Sequence, residues 1–177
     1  MFALGSGARF IARGIDVHKN LPDVLKAAHA HRGASFVEIF QNCIVYNDDV
    51  FASFTEKQAA QQKQLWLQPG EKMLFDGGAK GLALDCERLC LKMVDGEDPS
   101  VIVHDPTNRG VAAMLIEMRQ DEDFPVALGV IYEDARPTFE AAVIEQNRAA
   151  ASGKTPDLQA LVSKGQTWMV EKEPRPE

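Results

Sequence analysis

The sequence is poor in cysteine, with three in 177 residues, and has two tryptophans and two tyrosines. So few and an odd number of thiols do not build a disulfide framework, so each reads as a buried side chain or a metal ligand. No window approaches the ~18 consecutive apolar residues of a membrane-spanning helix. The opening Met1-Phe2-Ala3-Leu4-Gly5 lacks the charged start and apolar stretch of a signal peptide, so a cytoplasmic setting without a membrane partner is expected. Basic residues are also in deficit: 19 Lys and Arg against 26 Asp and Glu leave a net charge of −7 with no basic stripe, which argues against nucleic acid as a partner. P-loop, dinucleotide and Ser-His-Asp signatures are missing too. What is there suffices for a core: 45% of the residues are hydrophobic and 25% charged, in a length typical of one domain or one domain with an appendage.

The pattern opens with a strand, a helix and a strand. Phe10-Ile11-Ala12 is a short apolar run, and a polar loop through Asp16, Lys19 and Asn20 follows it. Pro22 suits a first helical turn, where its missing N–H costs nothing, and Leu21, Val24, Leu25 and Ala28 recur at helical spacing toward a stop at Gly33. Phe36 to Phe40 then predicts a largely buried strand. Farther on, a polar, glutamine-rich helix over Thr55–Gln64 with Thr55 as cap is expected. A hairpin over Leu82–Val94, a strand at Val101–Val103, a helix over Val111–Met118, a strand over Val126–Tyr132 and a helix from Pro137 to Arg148 complete the pattern. Beyond Ala151 the composition turns to Ser, Gly, Lys and Pro, which predicts a flexible tail over 151–177.

Among candidate functional residues Cys43 stands out. It follows a strand, at the carboxyl edge where open α/β sheets place ligands, and polar Gln41, Asn42, Tyr46 and Asn47 surround it. Position alone fits a small apolar strand-end residue equally well; the polar neighbours favour a function. Cys86 and Cys90 lack zinc-knuckle spacing and read as buried or incidental thiols. His104 beside Asp105 has no nucleophile next to it in sequence, and a turn at Asp105-Pro106 accounts for the aspartate. His18, His29 and His31 fit solvated or helix-dipole positions. Gly5-Ser6-Gly7 and the Gly77-Gly78 pair could approach phosphates but read more simply as turns.

Ala3-Leu4-Gly5, Phe10-Ile11-Ala12-Arg13, Ser35 through Phe40, Gln41-Asn42-Cys43 and Tyr46-Asn47-Asp48 together resemble the β subunits of 2-oxoacid:ferredoxin oxidoreductases, and their 2-oxoglutarate branch in particular. The likeness is dense over residues 2–51 and returns in Val103-His104-Asp105, Phe124-Pro125-Val126, Gly129-Val130 and Arg136 through Phe139. Ile44 stands where many relatives carry a polar residue, and Tyr46 where Phe is commoner. The resemblance implies an α/β fold: the terminal strand-helix-strand unit of a thiamine-diphosphate-binding parallel sheet over 1–51, a smaller α+β C-terminal extension over 52–150, and the tail.

The resemblance also implies a component of an enzyme that decarboxylates a 2-oxoacid, with 2-oxoglutarate expected, to an acyl-CoA while reducing ferredoxin. Its cofactors are thiamine diphosphate, magnesium and a 4Fe–4S cluster; its partners are the α subunit, ferredoxin, the 2-oxoacid and coenzyme A. Cys43 matches the fourth cysteine ligand of the cluster. The family's Gly-Asp-Gly…Asn segment for magnesium and its Cys-x-x-Cys lie upstream of everything here, so the chain looks like the C-terminal part of a β subunit and alone is expected to be inactive. The alternative is a non-catalytic acidic interaction domain that has lost the cofactor site.

Overall fold

The computed structural model describes residues 1–118, 123–168 and 170–171. Its internal contacts divide the chain into Met1–Thr138 and Phe139–Glu177. In the first unit, α1 (Phe2–Gly5) precedes β1 (Phe10–Ile15), α2 (Leu21–Ala30) and β2 (Phe36–Phe40). Two short helices, α3 (Ala52–Thr55) and α4 (Lys57–Lys63), lead to β3 (Gln64–Leu67). Then come β4 (Leu74–Phe75), β5 (Lys80–Asp85), β6 (Cys90–Asp95), α5 (Arg109–Glu117) and β7 (Val126–Glu133). The second unit carries α6 (Phe139–Ala151), none of whose residues is buried, and α7 (Leu158–Val162), capped by the Asp157 carboxylate, which accepts the Ala160 N–H at 2.9 Å. Of the expected tail, residues 169 and 172–177 lie outside the described residues.

The mixed α/β fold is built on a four-stranded sheet of order β2-β1-β7-β3 and a three-stranded sheet of order β4-β5-β6. β1 and β2 are parallel, joined by α2 as the opening pattern predicts. β7 runs antiparallel to β1 and parallel to β3, so strands from distant parts of the sequence share one sheet. Alternation along β1 sends Phe10 and Ala12 toward Val24, Ala27 and Ala28 of α2. Ile11 points the other way, into a core with Leu65, Leu67, Met73, Leu82, Leu115 and Ile131, where α5 and the second sheet cover the first. Each such side chain contributes roughly 1.5–3 kcal/mol on burial. The half-exposed Arg13–Glu38 pair, 2.6 Å apart, is of a type worth at most ~1 kcal/mol, so packing decides where β1 sits.

β7 tolerates only glycine at one central position. Gly129 has φ +93°, and a Cβ there would lie 2.9 Å from the carbonyl oxygen of Leu67, its partner on β3. Several sequence expectations need correction. β2 is not largely buried: it is the edge strand, with Phe36 and Ile39 exposed, because an apolar run does not reveal strand order. Val101–Val103 forms a single bridge, Val103 to Lys72, because Ile102 gives its N–H to Leu82 and its carbonyl to Met73 rather than to one neighbour. The 55–64 helix is broken at Glu56, and the Thr55 hydroxyl donates to the Phe51 carbonyl instead of capping. α2 ends at Ala30, before Gly33.

Candidate functional site

Because β1 and β2 are parallel, the loops leaving them emerge at one edge of the sheet, tied by the Asp16 N–H donating to the Phe40 carbonyl at 3.1 Å. The second of these loops, residues 41–50, is exposed throughout and carries Cys43. Its two ends are pinned by aromatic packing: Phe40 before it and Phe51 after it lie 5.1 Å apart by ring centroid, and both meet Phe54. Between them the Asn42 side chain staples the loop. Its amide donates to the Asp48 carboxylate at 2.8 Å and its carbonyl accepts the Asp49 N–H at 2.9 Å, where Asp49 takes a left-handed φ of 56°.

The staple closes a tight turn, with the Asn47 N–H donating to the Cys43 carbonyl at 2.9 Å. The backbone N–H groups of Tyr46, Val45 and Asn47 favour the charged form and, against desolvation, hold the thiol below its ordinary range. Donors aimed at sulfur stabilise the thiolate, the form that attacks electrophiles and binds metals. Ile44, Val45 and Tyr46 turn their side chains outward, each more than three-quarters exposed. The exposed thiol thus shares its loop with three exposed apolar side chains.

A four-iron cluster needs four thiolates. The donor chemistry of Cys43 fits one of them, and among the described residues no three His, Cys, Asp or Glu side chains gather into a metal site. The same holds for a magnesium site made of carboxylates.

On the neighbouring loop His18 stacks on Trp66 with ring centroids 4.2 Å apart, and its Nδ1 accepts the Asn20 N–H at 3.2 Å. Burial, with Lys19 adding to it, lowers its pKa, so the ring is neutral near pH 7. The stack lines a cleft of about 450 Å³ with Gln61, Gly77 and Gly78. The His18–Trp66 stack was not legible in the sequence, because Trp66 is distant from His18 along the chain.

The other candidates fall elsewhere. Cys86 and Cys90 are exposed, not buried, since they flank the β5–β6 turn. His104 is 1% exposed; its Nε2 meets the Val130 carbonyl at 2.8 Å, while Nδ1 has no hydrogen-bond partner. Burial lowers its pKa, outweighing Val130 and Asp105, so it is a neutral core residue rather than an acid–base group. His31 is likewise buried rather than solvated, tilted against Phe10 and 3.5 Å from the Glu133 carboxylate.

Fold and loop together define a mixed α/β protein with an exposed cysteine loop at the carboxyl edge of a parallel strand pair. No family model matches the chain. It is 32% identical over 182 residues to the 2-oxoglutarate oxidoreductase subunit KorB of Mycobacterium tuberculosis, an alignment covering 96% of this chain and 47% of that protein. The β subunit of 2-oxoacid:ferredoxin oxidoreductase 1 of Aeropyrum pernix is 24% identical over 90% of this chain and 41% of its own length. Among solved structures, a 2-oxoglutarate:ferredoxin oxidoreductase from Magnetococcus marinus, with 2-oxoglutarate, coenzyme A and succinyl-CoA bound, superposes with a TM-score of 0.57 at 16% identity, over 94% of this chain and 43% of that one. The chain is thus homologous to β subunits of 2-oxoacid:ferredoxin oxidoreductases. It spans about half the length of the curated relatives it matches over most of its own length.

Proposed function

We propose that this chain works as the C-terminal part of the β subunit of a 2-oxoglutarate-type 2-oxoacid:ferredoxin oxidoreductase and supplies Cys43 as one of four thiolates to a 4Fe–4S cluster. The observation that carries this reading is the placement of Cys43: an exposed thiol in a tight turn just past β2, on a loop whose apolar side chains face outward. Hydrogen bonds to a ligating sulfur also tune the potential of a cluster, so the backbone N–H groups of this turn would act on the cluster too. In such an enzyme thiamine diphosphate with magnesium supplies the carbanion chemistry of decarboxylation, and clusters carry electrons onward one at a time.

In this reading residues 1–51 close the thiamine-diphosphate domain and 52–150 form the extension, with α7 (Leu158–Val162) beyond it. The remaining thiolates, the magnesium-holding segment and the α subunit come from polypeptide beyond these residues, while ferredoxin and coenzyme A act on the assembled cytoplasmic enzyme. The chain alone therefore does not assemble the magnesium-held thiamine diphosphate site and does not turn over a 2-oxoacid. The test is iron and sulfide analysis, with visible spectra, of the assembled complex. Cys43→Ala should lose cluster iron and electron transfer to ferredoxin, whereas Cys86→Ala and Cys90→Ala keep both. Full iron in Cys43→Ala, or loss in either of the others, means that another cysteine holds the cluster.

A further inference from the structure

We propose that the cleft between the α1–β1 turn, the start of α5 and the end of β7 binds the phosphoryl group of a small phosphorylated molecule. Arg9, Arg109 and Arg136, far apart in sequence, line this one cavity of about 440 Å³. Its frame is fixed by backbone hydrogen bonds: the Asp134 N–H donates to the Arg9 carbonyl and the Glu133 N–H to the Pro106 carbonyl, each at 2.8 Å. The arginine side chains are held as well. Arg109 Nη2 donates to the Leu4 carbonyl at 2.8 Å and Arg9 Nη1 to the Pro137 carbonyl at 3.4 Å. Carbonyl contacts of this kind orient a guanidinium without neutralising it.

Of the residues lining the cleft only Asp134 is acidic, and it pairs with Arg136 at 2.9 Å. Three cations against one anion leave a formal surplus of two positive charges in a chain whose net charge is −7. Gathered like charges repel, and a dianion entering the cleft relieves them. A phosphoryl group suits the arrangement better than a carboxylate. It carries up to two charges and presents three acceptor oxygens to several guanidinium forks, where a carboxylate is satisfied by one. The volume exceeds what a bare phosphate fills and leaves room for an organic remainder. Gly7, with φ +85°, lies on the rim, so the Gly5-Ser6-Gly7 segment turns the chain into this cleft.

Calorimetric titration of the 177-residue chain at fixed ionic strength, with pyrophosphate and with citrate as a carboxylate counterpart, tests the proposal. Saturable pyrophosphate binding is expected. It should weaken about tenfold or more in Arg9→Gln and in Arg136→Gln, loss of a charge-assisted hydrogen bond being worth that much. The thermal midpoint without ligand should stay in place, and Arg88→Gln, which removes the same charge on the β5–β6 turn, should bind as the parent does. Absence of saturable binding, equal weakening in Arg88→Gln, or tighter binding of citrate than of pyrophosphate overturns it.

Discussion

The paired strands β1 and β7 and the loop at 41–50 are opposite solutions to holding a polar group beside a sheet. In the strands nearly every side chain is buried, and the imidazole of His104 is kept neutral by packing, with one nitrogen on the Val130 carbonyl and the other without a partner. In the loop every residue is exposed, and Cys43 is pushed toward its charged form by hydrogen bonds that the loop makes to itself. Both groups have lowered pKa values, yet from opposite causes: desolvation suppresses charge on His104, whereas backbone donors favour charge on Cys43. A shifted pKa beside a strand end therefore marks chemistry only when its cause favours the reactive form.

The comparison breaks first at the core. Ile131→Ala removes a fully buried side chain from the main cluster and should cost about 2–5 kcal/mol, whereas Cys43→Ala, at an exposed position, should stay within about 0.5 kcal/mol. Denaturant midpoints of the two variants check this. Comparable losses would mean that the loop is part of the folding core and not an appendage to it.

Sequence pattern carried the strand-helix-strand start, the hairpin and α5, because those elements depend on local periodicity and turn residues. It did not carry strand order. β7 enters between β1 and β3 by pairing residues more than a hundred positions from β1, and that insertion leaves β2 at the edge. Burial of His31 and His104 was hidden for the same reason: the ring of one packs on Phe10 and faces Glu133, and the other meets Val130, all nonlocal partners. The loop that carries Cys43 was legible as a loop because it is built from its own neighbours, and the grouping of Arg9, Arg109 and Arg136 was not, because it draws on three separate segments.

A second test uses pH. With its folded pKa lowered below the unfolded value of about 6.5, His104 takes up a proton more readily when the chain unfolds. Both states are neutral well above that value, so stability is unaffected there and falls as the pH drops below it toward the folded pKa. His18, lowered for a related reason, adds to the same slope. Denaturation between pH 7.5 and pH 5 (~6.5 being the unfolded midpoint) should show the loss, and His104→Leu should flatten it. An unchanged slope in that variant would place the proton uptake at other groups.

The smallest effect on stability and the sharpest on chemistry is expected at Asn42. Its side chain bridges Asp48 and the Asp49 N–H, so Asn42→Ala removes two exposed hydrogen bonds and should change stability by only about 0.5 kcal/mol. The same change frees the turn that aims the Tyr46, Val45 and Asn47 N–H groups at sulfur, and the thiol should drift back up toward its ordinary value. Rates of alkylation across pH read this directly, with peptide mapping to separate Cys43 from the exposed Cys86 and Cys90. In Asn42→Ala the Cys43 profile should move to higher pH than in the parent chain. If Cys43 keeps its early profile without the staple, the turn holds itself together and the Asn42 bridge serves only the far side of the loop.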